Sequence, residues 1–238
     1  MDNAGYTALT RQSGLLAEMQ VVANNIANAN TTGYRAEGLT FAEHIASLGP
    51  DAPSLSMATS LVRDTVQTQG SLSQTGGAFD LAVEGEGFFA VQTPQGNRLT
   101  RAGAFTPNEN GDLVTMDGYP VLDAGGAPVF VPQGSGPVGI AADGTISAAG
   151  QPVGQVGLFL PDDPLSMIRQ DGTLFDAQSG YSPVENPRVL QGFLEESNVD
   201  PILQITRMIE VQRAYELGQS FMDKEDERIR NVVRTLSR

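Results

Sequence analysis

Few residues in this chain are able to do chemistry. His44 is the single histidine in 238 residues, and cysteine is absent. A Ser-His-Asp relay needs a buried, oriented imidazole, whereas His44 sits in the polar stretch AEGLTFAEHIASLGPDAPSLS (36–56). A single histidine excludes a metal site built on two or more imidazoles within one chain, and zero cysteines exclude thiolate ligands and disulfides. Asp80, Glu84 and Glu86 form the best carboxylate cluster. Glycoside hydrolysis needs two carboxylates facing across a cleft, but this spacing along a β-rich run puts them on one solvated face. Gly85-Glu86-Gly87 lies between β-like runs and opens no helix, so it is not a dinucleotide loop. Asn108, Asn110 and Asp112 echo a calcium loop, yet Gly111 comes too early and the bidentate Glu is missing. That stretch reads as a hairpin turn. Asn30-Thr31-Thr32 matches a glycosylation pattern but reads better as a helix terminus. No catalytic residue, cofactor or metal is expected.

The totals agree with a non-enzymatic chain. Twenty-seven glycines, 14 prolines, no tryptophan and 6% aromatics describe turn-rich β-structure more than an α/β enzyme. A formal charge of −14 argues against nucleic-acid and anionic-membrane partners, which need a basic face. No run approaches the roughly 20 apolar residues that span a bilayer. The opening MDNAGYTALTRQSGLLAEM lacks a basic n-region and an apolar h-region, so no secretory signal is expected there. The acidity is central. Residues 37–200 carry a net −15, while residues 1–36 are neutral and 201–238 carry +1. Composition thus marks three parts.

Two helices must frame whatever the middle does. From about Gly5 to Ala29, Leu9, Leu15, Leu16, Met19, Val22, Ala23 and Ile26 fall on one helical face. The opposite side carries Ser13, Ala17, Gln20, Asn24 and Asn28, uncharged and mostly short, so this helix is expected to have protein on most sides. Asparagine is a mediocre helix former, and the run ANNIANANTTGYR (23–35) raises the question of why amides stand there. At the other end, Ser197 or Asn198 is expected to cap a helix with Pro201 in its first turn. A heptad seam runs through Ile205, Met208, Gln212, Tyr215, Gln219, Met222, Asp226, Ile229, Val233 and Leu236. Both seams are interrupted, so the two helices are expected to pair with each other.

Between them, short β-rich runs such as FDLAVEG (79–85), GFFAVQT (87–93) and PVGQVGLFLP (152–161) alternate with turn clusters such as NENGD and DAGG. The expected fold is α+β, with the terminal helices as a coiled-coil-like pair and a mainly antiparallel β-domain between them. The expected parts are 1–34 (N-terminal helix), 35–56 (connector), 57–193 (β-domain) and 194–238 (C-terminal helix).

Three stretches carry a family resemblance: ANNIANANTTGYR (23–35), GSLSQTGGAFDLAVEGEGFFAVQTPQGNRLTRAGAFTPNENGDLVTMDGYPVL (70–122) and LEESNVDPILQITRMIEVQRAYEL (194–217). Together they resemble the flagellar rod, hook and hook-filament-junction proteins, in the family's order. MDNAGYTAL, ATSLVRDT and LDAGGAPVFVP look more like a proximal than a distal rod subunit, the distal one being the alternative. The resemblance implies a structural axial subunit of the basal body. It implies self-association, neighbouring rod proteins as partners, export through the flagellar type III apparatus and assembly in the periplasm, with torque passed from motor to hook. A secreted β-rich hydrolase or ligand-binding module is the alternative of another class. In a tube of packed helices a charged back would be buried at a cost, whereas amides donate and accept. Gln20, Asn24 and Asn28 are therefore expected to make intersubunit hydrogen bonds. Asn25, Ile26, Tyr34, Asn198, Ile205, Met208, Gln212, Tyr215 and Met222 are the further helix-packing candidates.

Overall fold

A computed structural model describes residues 2–46, 55–132, 134 and 136–236. The chain forms two compact units. The first comprises Met1–Ala29, Ala36–Val66 and Val199–Arg238; the second comprises Asn30–Arg35 and Gln67–Asn198.

The first unit holds α1 (Asp2–Ala27), strands β1 (Glu37–Ala46) and β2 (Leu55–Thr65), and α2 (Pro201–Leu236). The helices pack antiparallel, with Gln12 near Tyr215 and Asn25 near Gln204. Helix α2 begins where Asp200 Oδ1 accepts the backbone N–H of Ile202 (2.9 Å) and Leu203 (3.1 Å). Asp200, not Ser197 or Asn198, is thus the cap, because Pro201 occupies the first helical position and the residue before it must supply the oxygen.

Residues 37–46, read from the sequence as connector, are a strand. β1 and β2 pair antiparallel, Glu37 opposite Thr65 and Ala46 opposite Leu55, with a bulge between Ala42 and Glu43. Residues 47–54 of the expected connector lie outside the described residues. The ATSLVRDT run, assigned from sequence to the central domain, forms most of β2 and belongs to the helical unit.

The second unit is built from short strands. They run in order β3 (Leu72–Gln74), β4 (Leu81–Val83), β5 (Phe88–Thr93), β6 (Gly96–Thr100), β7 (Phe105–Pro107), β8 (Leu113–Thr115) and β9 (Val138–Ile140). After them come β10 (Thr145–Ala148), β11 (Gln151–Gln155), β12 (Leu158–Pro161), β13 (Met167–Asp171), β14 (Leu174–Ala177), β15 (Tyr181–Pro183), β16 (Val189–Gln191) and β17 (Phe193–Glu195). Six of them form one sheet in the order β13-β14-β6-β5-β12-β15. All pairings are antiparallel, including β17 with β3 and β16 with β4. Strand β5 explains the core. Phe89 and Val91 enter one cluster with Leu81, Leu113 and Ile146, while Phe88 and Ala90 enter another with Leu99 and Phe175. Side chains alternate across a strand, so FFAV is apolar throughout because it is covered on both faces. Each of these phenylalanines contributes about 1.5–3 kcal/mol on burial.

The NENGD stretch is a turn, as read: Asn108 Oδ1 accepts from the N–H groups of Asn110 and Asp112, both at 2.9 Å. The β10–β11 hairpin is closed by Ala149-Gly150 with φ of 50° and 80°. This turn suits Asn-Gly, and an alanine in the left-handed region is strained. Replacing Ala149 with Asn is expected to raise stability by about 1 kcal/mol, read as a higher denaturant midpoint at unchanged slope.

Candidate functional site

The helix pair of the first unit is one candidate. Apart from Ala214, the α2 residues turned toward cover are Gln204, Met208, Val211, Tyr215, Gly218, Met222 and Glu225, alternating by four and three. That shares Met208, Tyr215 and Met222 with the sequence-derived seam. At the alternate positions it is rotated by one residue. Ile205 and Gln212 are exposed, and Val211 is the buried residue of α2. Gly218 makes the close approach possible: a Cβ there would lie 2.5 Å from Gln12 Nε2. Gln12 is buried, and its Nε2 donates to the Tyr215 carbonyl at 2.9 Å. Midway along, Arg207 of α2 binds Glu18 of α1, Nε to Oε1 at 2.6 Å, which raises the Arg207 pKa. This pair is largely solvated on the arginine side and adds little stability.

The asparagine question resolves at one position. Asn25, only 1% exposed, donates from Nδ2 to the Glu37 carbonyl at 2.8 Å and accepts the Glu37 N–H at Oδ1, 2.9 Å. It pairs with the first residue of β1 as another strand would, and only an amide can give and take in this way. Its Nδ2 also reaches Gln204 Oε1 at 3.4 Å, so one side chain joins α1, β1 and α2. Of the other α1 candidates, Gln20 and Asn24 are exposed and Ile26 and Asn28 are half-buried. Asn28 Nδ2 donates to the Asn24 carbonyl of its own helix at 2.9 Å.

Tyr34 and Asn198 belong to the second unit, at a buried hub that sequence reasoning missed. Glu195, at the end of β17, accepts from Arg35 (Nη2 to Oε1, 3.1 Å) and Arg101 (Nη1 to Oε2, 3.0 Å), all three at most 3% exposed. The Gly70 N–H adds a third bond to Oε1 at 3.1 Å. Two cations on one anion leave a net positive charge, which backbone carbonyls absorb. Arg35 donates to the carbonyls of Gln67 and Thr68, and Arg101 to that of Gly85. Burial pushes both arginines below their usual pKa, Arg101 to about 10, with Glu195 opposing the shift.

The TGYR end of the N-terminal signature is locked into this hub. The Gly33 N–H donates to the Glu195 carbonyl at 2.7 Å. Gly33 has φ of 69°, and a Cβ on it would sit 2.2 Å from Ala102 N, so no other residue fits. Tyr34 is buried beneath the Arg169 guanidinium, 4.4 Å from its ring centroid, which stacks on Phe175 as well. The Tyr34 carbonyl accepts the Asn198 N–H at 3.3 Å, and Asn198 Nδ2 donates to the Thr68 carbonyl at 2.8 Å. The only sequence signal was that Arg35 and Glu195 stand within the two quoted terminal signatures. Their pairing was not visible.

The acidic residues weighed for catalysis do not converge. Asp80 accepts from Thr75 Oγ1, Glu84 faces Arg188 at 3.6 Å on the surface, and Glu86 is exposed. Among the described residues no cluster could hold a metal, and no helix is long and apolar enough to cross a membrane.

Three family models match along the chain. A flagella basal body rod protein model covers residues 6–35, the flagellar hook protein FlgE/F/G D1 domain covers 82–148, and the flagellar basal body rod FlgEFG protein C-terminal model covers 190–235. Arg35, Arg101 and Glu195 fall one in each. Flagellar basal-body rod protein FlgF of Caulobacter vibrioides is 44% identical over 246 residues, covering 100% of this chain and 99% of that one. FlgF of Mesorhizobium japonicum is 38% identical, over 99% of this chain and 98% of that one. Flagellar basal-body rod protein FlgG of Bacillus subtilis is 29% identical, over 96% and 97%.

Proposed function

Because the chain belongs to the flagellar basal-body rod protein family, we infer that it is a structural, non-enzymatic axial subunit of the flagellar rod. Identity to FlgF chains reaches 44%, against 29–32% for FlgG chains, which supports a proximal place in the rod rather than a distal one. Export through the flagellar type III apparatus, helical assembly in the periplasm and transmission of torque from motor to hook belong to the same reading.

One observation carries it. Helix α2 has 36 residues against 26 in α1, about 54 Å against 39 Å at 1.5 Å per residue. Its seam face continues past the paired stretch as Ile229, Val232, Val233 and Leu236, spaced i, i+3, i+4 and i+7 and between 46% and 82% exposed. An exposed apolar stripe with helical spacing marks an interaction surface, and another helix is the cover that fits it. Neighbouring rod subunits, built on the same terminal helices, are the covering partners in this reading. Gln20 and Asn24, exposed on α1, are the polar contacts proposed to accompany them.

Changing Ile229 and Val233 together to Asp tests this. The monomer's thermal melting is expected to stay unchanged, because both side chains are already solvated, while swimming is lost and the chain disappears from purified basal bodies. Normal incorporation of the double variant would sink the reading.

A further inference from the structure

The second unit has four chain ends: it is entered at Asn30, left at Arg35, re-entered at Gln67 and left at Asn198. Three of these ends, and the stretch just inside the fourth, meet in the hub. Arg35 binds the Gln67 and Thr68 carbonyls and Glu195. Asn198 binds Thr68 and Tyr34. Gly33, inside the Asn30 end, binds the Glu195 carbonyl. Short turns and strand pairing account for order elsewhere in this unit, but residues 30–35 and 67–70 belong to no strand. Side chains hold them together instead.

We propose that Arg35, Glu195 and Asn198 form a clamp that ties together the four chain ends of the β-unit, so that load entering along one strand is shared by all four. The proposal rests on the reading of the chain as a rod subunit and adds a role for these residues in bearing load. Non-directional apolar packing yields by sliding, whereas hydrogen-bonded ions in a dry site have one geometry and resist displacement. Two arginines around one carboxylate are costly to bury. The clamp needs that expense only at Arg35, since Arg101 with Glu195 would already be a neutral pair.

Arg35→Met makes use of this arithmetic. It leaves the Arg101–Glu195 pair balanced, so the β-unit is expected to remain folded with near-UV and melting signatures close to the parent. Amides of Gly33 and Gly70 in the purified chain are expected to exchange roughly tenfold faster or more, as local opening is released from the global transition. In cells, rods are expected to assemble and swimming in dilute medium to persist, with speed falling more steeply than the parent's as viscosity is raised. Asn198→Ala cuts the Thr68 tie without touching a buried charge and is expected to act in the same direction, more weakly; it serves if Arg35→Met fails to fold. Unchanged exchange at Gly33 and Gly70, or a viscosity profile parallel to the parent's, would overturn the clamp. Failure of the rod reading looks different: deleting the whole chain would then leave swimming normal at every viscosity.

Discussion

Glu195→Ala is expected to destabilise the β-unit by about 3–5 kcal/mol, the usual consequence of removing one partner from a buried ion pair. Here two guanidiniums lose their counter-ion at once. Arg35 and Arg101 are at most 3% exposed, so neither can turn its charge to water without opening the core. The Gly70 N–H loses its acceptor as well. Domains of this size are stable by roughly 5–15 kcal/mol, so the variant should melt lower by roughly 10–20 °C, as followed by circular dichroism. The triple change Arg35→Met, Arg101→Met, Glu195→Leu removes both signs together and is expected to recover most of that loss. A buried ion group and its apolar replacement are often equally stable. If Glu195→Ala melts within a few degrees of the parent, the hub is not the buried electrostatic unit described here.

That hub also marks where the sequence stops being readable. The helices were legible because apolar residues recur with helical period, and α2 could be followed from Pro201 to its end. Its seam was legible only by halves. Met208, Tyr215 and Met222 are half-covered as expected, but at the alternating positions the partner helix selects Gln204, Val211 and Gly218 rather than Ile205, Gln212 and Gln219. Period alone fixes a stripe to within one residue; the shape of α1, with Gln12 pressed against Gly218, decides between neighbours. The strands β1 and β2 were hidden by the Gly and Pro residues between them, which read as connector. The charge pairings were invisible for a different reason. Glu195 meets Arg101 across 94 residues and Arg35 across a longer span still. Nothing in the local pattern around any of the three predicts burial. Arg35 reads as the charged residue following a helix end, and Glu195 as one of two adjacent acids near a helix start. Closure of β17 on β3 sets Glu195 opposite Leu72, two residues from the Gly70 N–H that it accepts.

The amides of α1 lead to the second large effect. Asn25→Ala is expected to cost about 2–4 kcal/mol, because it strands a buried N–H and a buried carbonyl of Glu37, each worth roughly 1–3 kcal/mol when left unpaired. Asn24→Ala, one residue away but exposed, is expected to change stability by less than about 0.5 kcal/mol. The contrast between adjacent asparagines is the informative quantity, since both changes raise intrinsic helix propensity to the same degree. Asn25→Asp separates donation from shape: it keeps the size and still accepts the Glu37 N–H, but cannot donate to the Glu37 carbonyl while ionised. It also buries a carboxylate at a site only 1% exposed. It is expected to be no better than alanine at neutral pH, and to recover as pH falls and the new carboxyl takes up a proton that can serve as donor. Equal stability of the Asn24 and Asn25 alanine variants would mean that the helix end and β1 are held by packing, and that the reciprocal amide bond contributes nothing of its own.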